Sequence, residues 1–196
     1  MPSRCFLAIT LPDPVLVTLG SARETFVAGA PAWAGEKWVP RPLLHVTLAF
    51  LGALDDGALE AGVPRMRKAA TLLLPFELRL AGVAAVPSPR RATMLWATLS
   101  DPGDALTGLR DELLAAFPSA GIPPDTRPLR PHVTLVRARS PRRVDPDALA
   151  DVAALARAAG KEPDGVVSVR SVTLFSSTLR PAGPEYRELA VAELAR

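Results

Sequence analysis

The chain has 196 residues, of which 48% are hydrophobic and 22% are charged, so it can bury a sizeable core and does not resemble a disordered chain. Its 23 basic and 20 acidic residues leave a formal net charge of +3, which permits a nucleic-acid partner without arguing for one. The apolar start is broken at Pro12, too short a run for a membrane span and poorly made for a signal peptide. The single cysteine, Cys5, excludes an internal disulfide and favours a reducing compartment, so we expect a cytoplasmic protein.

The first half of the chain predicts the order strand, helix, strand, helix, strand. Residues 4–10 predict a strand with Cys5 in the core. Asp13 and Pro14 predict the start of a helix that runs to Ala28, and Asp55 predicts the cap of a second helix to residue 70. Between them, residues 29–42 are rich in Gly and Pro and predict a loop, followed by a strand that ends at Gly52. Residues 75–86 alternate as a third strand.

The second half repeats this order. It predicts a strand at 93–99, a helix at 104–117, a proline-rich loop at 118–131, a strand, a helix from Asp145 to residue 159, a strand at 165–175 and a last strand at 186–194. We therefore expect one domain over residues 1–196, built from approximately duplicated halves, 1–88 and 89–196. The expected fold class is α+β and bilobal, with two pseudo-symmetric lobes and a groove between them.

The tetrapeptide HVTL occurs in both halves, at residues 45–48 and 132–135, and the two copies contain the only two histidines of the chain. Strand formers flank each copy. Because alternate residues of a strand point to opposite faces, the histidine and the threonine of each copy share one face, and the valine and leucine turn into the core. The sequence therefore predicts two matching half-sites.

Paired His-x-Thr half-sites suit displacement at phosphorus. Histidine titrates near neutral pH, so one imidazole can deprotonate water while the other protonates the departing oxygen, and the threonine hydroxyls can hold phosphate oxygens. An isolated strand histidine is usually a packing residue, but packing alone hardly explains two copies of one tetrapeptide. Two histidines without a nearby Cys, Asp or Glu at ligand spacing fall short of the three or four ligands of zinc. We expect no metal and no cofactor.

Several arginines form clusters in the sequence, and the last six of them closely bracket the second motif. They are Arg90, Arg91, Arg127, Arg130, Arg137, Arg139, Arg142 and Arg143. A solvated face is the usual role of such a run, and a nucleic-acid surface is the functional alternative.

The sequence of the two motifs and the segments around them resembles that of the two-histidine phosphoesterase superfamily. Within it the chain resembles the RNA 2′,3′-cyclic phosphodiesterases formerly called 2′-5′ RNA ligases. The resemblance covers nearly the whole chain. It includes the opening RCFLAITLP, the WVP before the first motif and FLG after it, PFELRL, RPLRPHVTLVR and the closing VTLFSSTLRPAGPEY. It implies a bilobal fold with an antiparallel sheet in each lobe, and hydrolysis of a terminal 2′,3′-cyclic phosphate to a 2′-phosphate.

The resemblance also implies roles for individual residues. His45 corresponds to the proton donor and His132 to the proton acceptor, while Thr47, Thr134 and Arg137 correspond to phosphate-binding residues. The residues alone do not decide which histidine is acid and which is base. Strand alternation places Arg137 on the face opposite His132, unless the strand bulges or ends before it.

Phe50 and Trp38 can stack on the terminal base, although aromatic residues at such positions are more often in the core. The expected partners are RNA ends or small cyclic nucleotides as substrate, with no membrane partner and a monomeric protein. Three alternatives to cyclic phosphate hydrolysis stay open. They are a module that only binds phosphorylated RNA ends, 2′-5′ RNA ligation, and cleavage of a 2′-5′ phosphodiester by the same site.

Overall fold

The computed structural model describes residues 3–181 and 183–195. Within them the chain is α+β, as predicted. The strands are β1 (Ser3–Thr10), β2 (Lys37–Trp38), β3 (His45–Leu54), β4 (Phe76–Val86), β5 (Ala92–Ser100), β6 (His132–Arg142), β7 (Val166–Val169), β8 (Ser171–Arg180) and β9 (Gly183–Glu193). The helices are α1 (Asp13–Gly29), α2 (Asp56–Ala70), α3 (Ala105–Ala116) and α4 (Pro146–Ala159).

All of these strands belong to one antiparallel sheet with the order β7-β4-β5-β6-β3-β1-β8-β9, and the short β2 pairs with β6. The sheet consists of two four-stranded halves, which are joined where β3 and β6 pair at Val46 and Val133. Helix α4 packs on β4 and α1 packs on α4, while α2 and α3 pack on the half that contains β3. The expected pair of lobes is confirmed, with the difference that their sheets are joined edge to edge.

Each lobe draws strands from both halves of the chain. Strand β4 pairs with β5 in the lobe of the second motif, whereas β8 pairs with β1 in the lobe of the first. The pairing follows a two-fold pattern, because β1 lies between β3 and β8 as β5 lies between β6 and β4. The lobes therefore do not coincide with residues 1–88 and 89–196, and a duplication of these halves stays a prediction.

Helix capping agrees with the sequence at two of four predicted starts. The Asp55 carboxylate accepts a hydrogen bond from the N–H of Ala58, and the Asp145 carboxylate accepts from the first turn of α4. Asp13 is instead the first helical residue, and its predecessor Pro12 holds the cap position without a side-chain bond. At α3 the capping carboxylate belongs to Asp101, which accepts from the first two N–H groups of the helix.

Two predicted segments are wrong because strand pairing between distant parts of the chain divides one of them and orders the other. The single strand predicted at 165–175 is divided at Arg170, since β7 pairs with β4 in one lobe and β8 pairs with β1 in the other. The predicted loop at 29–42 contains β2, whose two residues pair with β6. Neither pairing leaves a local signal in the sequence.

Candidate active site

The two HVTL motifs meet at the junction of the lobes. Val46 and Val133, the second residues of the motifs, are cross-strand partners in an antiparallel pair. Around this pair the antiparallel direction places His45 on the side of Thr134 and Thr47 on the side of His132. Both valines are fully buried, while both histidines and both threonines are half-buried on the other face. The predicted faces of the two motifs are therefore observed, and the four polar residues are adjacent.

A matching backbone contact orients each imidazole. The Nδ1–H of His45 donates to the carbonyl of Leu43 at 2.7 Å, and the Nδ1–H of His132 donates to the carbonyl of Arg130 at 2.6 Å. A carbonyl only accepts, so Nδ1 bears the hydrogen in each neutral ring. Nε2 is then the nitrogen that gains and loses a proton, and at His45 it accepts from the Thr47 hydroxyl at 3.0 Å.

Both motif strands carry a β-bulge at the leucine of the motif. The pairing of β1 with β3 passes over Leu48, and the pairing of β5 with β6 passes over Leu135. A bulge inserts one unpaired residue and shifts the alternation that follows it. The residue five positions after each histidine, Phe50 in β3 and Arg137 in β6, therefore returns to the face of that histidine.

The surroundings of Phe50 and Arg137 agree with this placement. Phe6 lies 5.1 Å from the ring of His45 and 6.1 Å from the ring of Phe50, measured between centroids. The Arg137 guanidinium contacts the sulfur of Met94 at 3.0 Å, and its charge lowers the pKa of both histidines. Strand alternation alone would have placed Arg137 on the wrong face.

Aromatic rings surround the two histidines in different ways. Trp96 stacks on His132 with 3.8 Å between ring centroids and an angle of 21° between planes. His45 instead meets the edge of Tyr186 at 5.4 Å and 84°, beside Phe6. The sequence did not single out Trp96, Phe6 or Tyr186. Each lies on a strand other than that of its histidine, so only the sheet pairing reveals these contacts.

Burial is the main cause that lowers the pKa of each histidine below its ordinary value. At His45 the positive charges of His132 and Arg137 lower the pKa further, and at His132 the charge of Arg137 does the same. The hydrogen bonds to the backbone carbonyls act in the opposite direction. The repulsion between the two imidazolium charges is mutual, so protonation of either ring opposes protonation of the other.

Phe50 is 50% exposed at the rim of the site, so its interpretation as a core residue is wrong. The guanidinium of Arg127 lies 4.4 Å above its ring, and two hydrogen bonds of 2.7–2.8 Å fix that guanidinium to Asp125. Asp125 also accepts from the N–H of Phe50 at 2.9 Å. Burial raises the pKa of Asp125, but its hydrogen bonds with Arg127 and Phe50 outweigh burial and bring the value to about 2. Trp38, in contrast, packs partly buried against the core.

Arg110 ties the segment before the second motif to the first motif strand. It is 9% exposed, and its guanidinium donates to the carbonyls of Leu48, Asp125 and Arg127 at 2.7–3.1 Å. Leu48 is the bulge residue, so Arg110 links the bulge of one motif to the loop that enters the other. An arginine within the apolar stripe of a helix was the available signal, since Leu106, Leu109 and Leu113 surround it in sequence.

The described residues, 3–181 and 183–195, contain no group of three or more His, Cys, Asp or Glu side chains that could hold a metal ion. In the same residues no helix is long and apolar enough to cross a membrane. Cys5 is buried, as predicted.

Comparison with known proteins identifies the family. The model of the 2′-5′ RNA ligase superfamily matches residues 12–179. An RNA 2′,3′-cyclic phosphodiesterase of Methanothermobacter thermautotrophicus is 29% identical over 194 residues, covering 99% of this chain and 100% of the relative. A protein of the same name from Thermus thermophilus is 31% identical over 191 residues, covering 95% of this chain and 87% of the relative.

Solved structures show the same fold. A crystal structure of a Thermus thermophilus protein aligns with a TM-score of 0.73 at 27% identity over 97% of both chains. E. coli LigT in complex with 3′-AMP aligns with a TM-score of 0.73 over the whole of both chains, and its 22% identity supports the fold alone. The resemblance stated from the motifs is confirmed, and the chain belongs to the 2′-5′ RNA ligase superfamily.

Proposed function

We propose that this protein hydrolyses the terminal 2′,3′-cyclic phosphate of RNA to a 2′-phosphate and a free 3′-hydroxyl. The observation that carries the proposal is the junction of β3 and β6, which brings two oriented imidazoles and two threonine hydroxyls together. The names of the relatives from Methanothermobacter and Thermus support the same reaction.

The proposed step is an in-line displacement by water. His132 Nε2 takes a proton from water as the oxygen attacks phosphorus, and the bond between phosphorus and the 3′-oxygen breaks. His45 donates its Nε2 proton to the departing 3′-oxygen. One water is consumed, and the proton lost from His45 is balanced by the proton gained at His132. Exchange with solvent returns both rings to the starting state.

The remaining polar groups bind the phosphate. Thr47 and Thr134 donate hydroxyl hydrogen bonds to its non-bridging oxygens, and Arg137 supplies the positive charge that stabilises the transition state. Phe50, with Arg127 held over its ring, offers an exposed planar surface for the terminal base. These assignments rest on the face that Thr47 and Thr134 share with the histidines, and to which the two bulges return Phe50 and Arg137.

The assigned roles require a specific proton distribution. In the ligand-free protein the pKa of both histidines is lowered, whereas the donor role needs a proton on His45 Nε2. A bound phosphate anion raises the pKa of both imidazoles, so the roles imply that the phosphate oxygens favour protonation of His45. The reverse roles are the competing assignment, and an activated substrate separates the two.

The test uses the purified, EDTA-treated protein and a short RNA that ends in a 2′,3′-cyclic phosphate. We expect a product with a 2′-phosphate, mapped by its resistance to enzymes specific for 3′-phosphates, and loss of turnover in His45→Ala and His132→Ala. Full activity in both variants would refute the assignment. Binding without turnover would favour an RNA-end binding module, and a joined product from two RNA ends would favour ligation.

A further inference from the structure

The arginines that bracket the second motif have different environments in the structure. Arg127 is fixed to Asp125, Arg142 pairs with the buried carboxylate of Glu36, and Arg137 faces the active site. The others are exposed and form no salt bridge with any residue in the described part of the chain, and four of them lie near one another: Arg90, Arg91, Arg139 and Arg143. We call these four residues the arginine track.

The arginine track comes from two segments that the fold brings together. Arg90 and Arg91 lie in the turn between β4 and β5, and Arg139 and Arg143 lie at the end of β6. The N–H of Val144 donates to the carbonyl of Pro89 at 2.8 Å, which fixes the end of β6 beside the turn. Glu36 beside this edge is 5% exposed and pairs with Arg142, and the Asp145 carboxylate caps α4. Asp147 is the other exposed carboxylate close in sequence, so the four arginines leave this edge with a net positive charge.

The β5–β6 ladder leads from the active site to the arginine track. Its pairs include Trp96 with Thr134, Met94 with Arg137 and, beyond an irregularity in β6, Ala92 with Arg142. From Trp96 to Ala92 the strand advances four residues, which is about 13 Å at the usual rise. An RNA chain that runs along this ladder from the phosphate bound at Thr134 passes Arg137 and reaches the arginine track within a few nucleotides.

The corresponding strand of the other lobe carries no such charge. After the first motif, residues 46–57 contain no lysine or arginine, and they include Asp55 and Asp56. The equivalent residues after the second motif, 133–144, contain four arginines, and Asp145 and Asp147 follow them. An anionic polymer bound where the two lobes meet is therefore attracted along the second motif strand rather than along the first.

We propose that the arginine track binds the backbone phosphates of the RNA chain on the 5′ side of the terminal nucleotide. This inference rests on the proposed function, because it extends the same substrate beyond the active site. Arginine binds phosphate through planar, charge-assisted hydrogen bonds, and such contacts are independent of base sequence. The track thus favours RNA over mononucleotides without selecting a sequence.

The experiment compares two substrates that share a terminal nucleotide and a 2′,3′-cyclic phosphate, a dinucleotide and an RNA of about ten nucleotides. In the variant Arg90→Glu/Arg91→Glu we expect KM for the longer RNA to rise at least tenfold. For the dinucleotide, kcat and KM should both stay within about twofold of the unmodified protein. The dependence of log KM on log salt for the longer RNA should flatten by about 1.4, since each lost phosphate contact contributes about 0.7 for single strands. Arg143→Glu should act in the same direction.

A matched control changes the net charge equally at another surface. Lys68→Glu/Lys161→Glu reverses two exposed charges, one on α2 and one after α4, and should leave KM for both substrates unchanged. An unchanged KM for the longer RNA in the arginine variant would overturn the inference, as would an equal rise in the control or an equal rise for the dinucleotide. Absence of turnover of both substrates by the unmodified protein would instead refute the proposed function.

Discussion

The two motif strands, β3 and β6, begin alike and then diverge. Both start with HVTL, both hold the histidine by a carbonyl two residues earlier, and both bulge at the leucine. Five residues after the histidine, β3 presents an aromatic ring and β6 presents a guanidinium. In the proposed mechanism the repeated part performs proton transfer, and the residues that differ contact different groups of the substrate.

The largest expected effect is the loss of turnover on removal of either motif histidine, and an activated substrate distinguishes their roles. General acids and bases contribute about 10²- to 10⁴-fold, so His45→Ala and His132→Ala should each lower turnover of the cyclic phosphate by that order. A phosphodiester with a p-nitrophenolate leaving group needs no proton on the departing oxygen. With this substrate His45→Ala should retain most of the activity, and His132→Ala should stay as impaired as before.

The same pair of measurements can reverse the assignment. If His132→Ala retains activity on the activated diester and His45→Ala does not, then His132 is the acid. That outcome would contradict the roles carried over from the family. Asn or Gln in place of Ala provides a control for the lost volume.

Arg137 is expected to have the second largest effect, because it is the charge that distinguishes β6 from β3. Arg137→Gln removes a charge-assisted contact of about 1.5 to 3 kcal/mol, which corresponds to about a 10- to 100-fold fall in kcat/KM. The guanidinium lowers the pKa of both histidines, so its removal raises both. Both limbs of the pH profile of kcat/KM should therefore move to higher pH. Limbs that do not move would show that the charge of Arg137 does not act on the two histidines.

The pattern of the HVTL motifs, the helix starts at Asp55 and Asp145 and the order of elements could be predicted from the sequence, since each depends on neighbours within a few residues. The face of Arg137 could not, because the bulge at Leu135 arises from pairing with β5. The ring of Trp96 reaches His132 across the same ladder, and Arg110 reaches three carbonyls of distant segments. Interactions between segments distant in sequence account for most of what the sequence left open.

Trp96 should have a smaller effect that falls on His132 alone. Its stacked ring and the carbonyl of Arg130 hold the imidazole from two directions. An aromatic pair contributes about 0.5 to 1.5 kcal/mol, so Trp96→Leu should lower kcat roughly twofold to tenfold with little change in KM. Trp96→Phe should restore most of the loss, and failure of this rescue with normal thermal unfolding would exclude a positioning role. Phe6→Leu, beside His45, serves as the matched variant in the other lobe.

The smallest expected effect concerns the stability of the Phe50 rim, where β3 differs from β6. The ordinary pKa of the Asp125 carboxyl, 3.8, falls to about 2 in the folded protein, so its ionised form stabilises the fold above the ordinary value. Arg127 is 61% exposed, and solvent weakens the pair, so Asp125→Asn should lower the free energy of unfolding at pH 7 by about 1 kcal/mol. The difference should shrink as the pH falls below the ordinary value and vanish only below about pH 2, where the carboxyl becomes neutral in the folded protein as well. Denaturant unfolding at several pH values measures it, and a difference independent of pH would show that the contribution of Asp125 is not its charge.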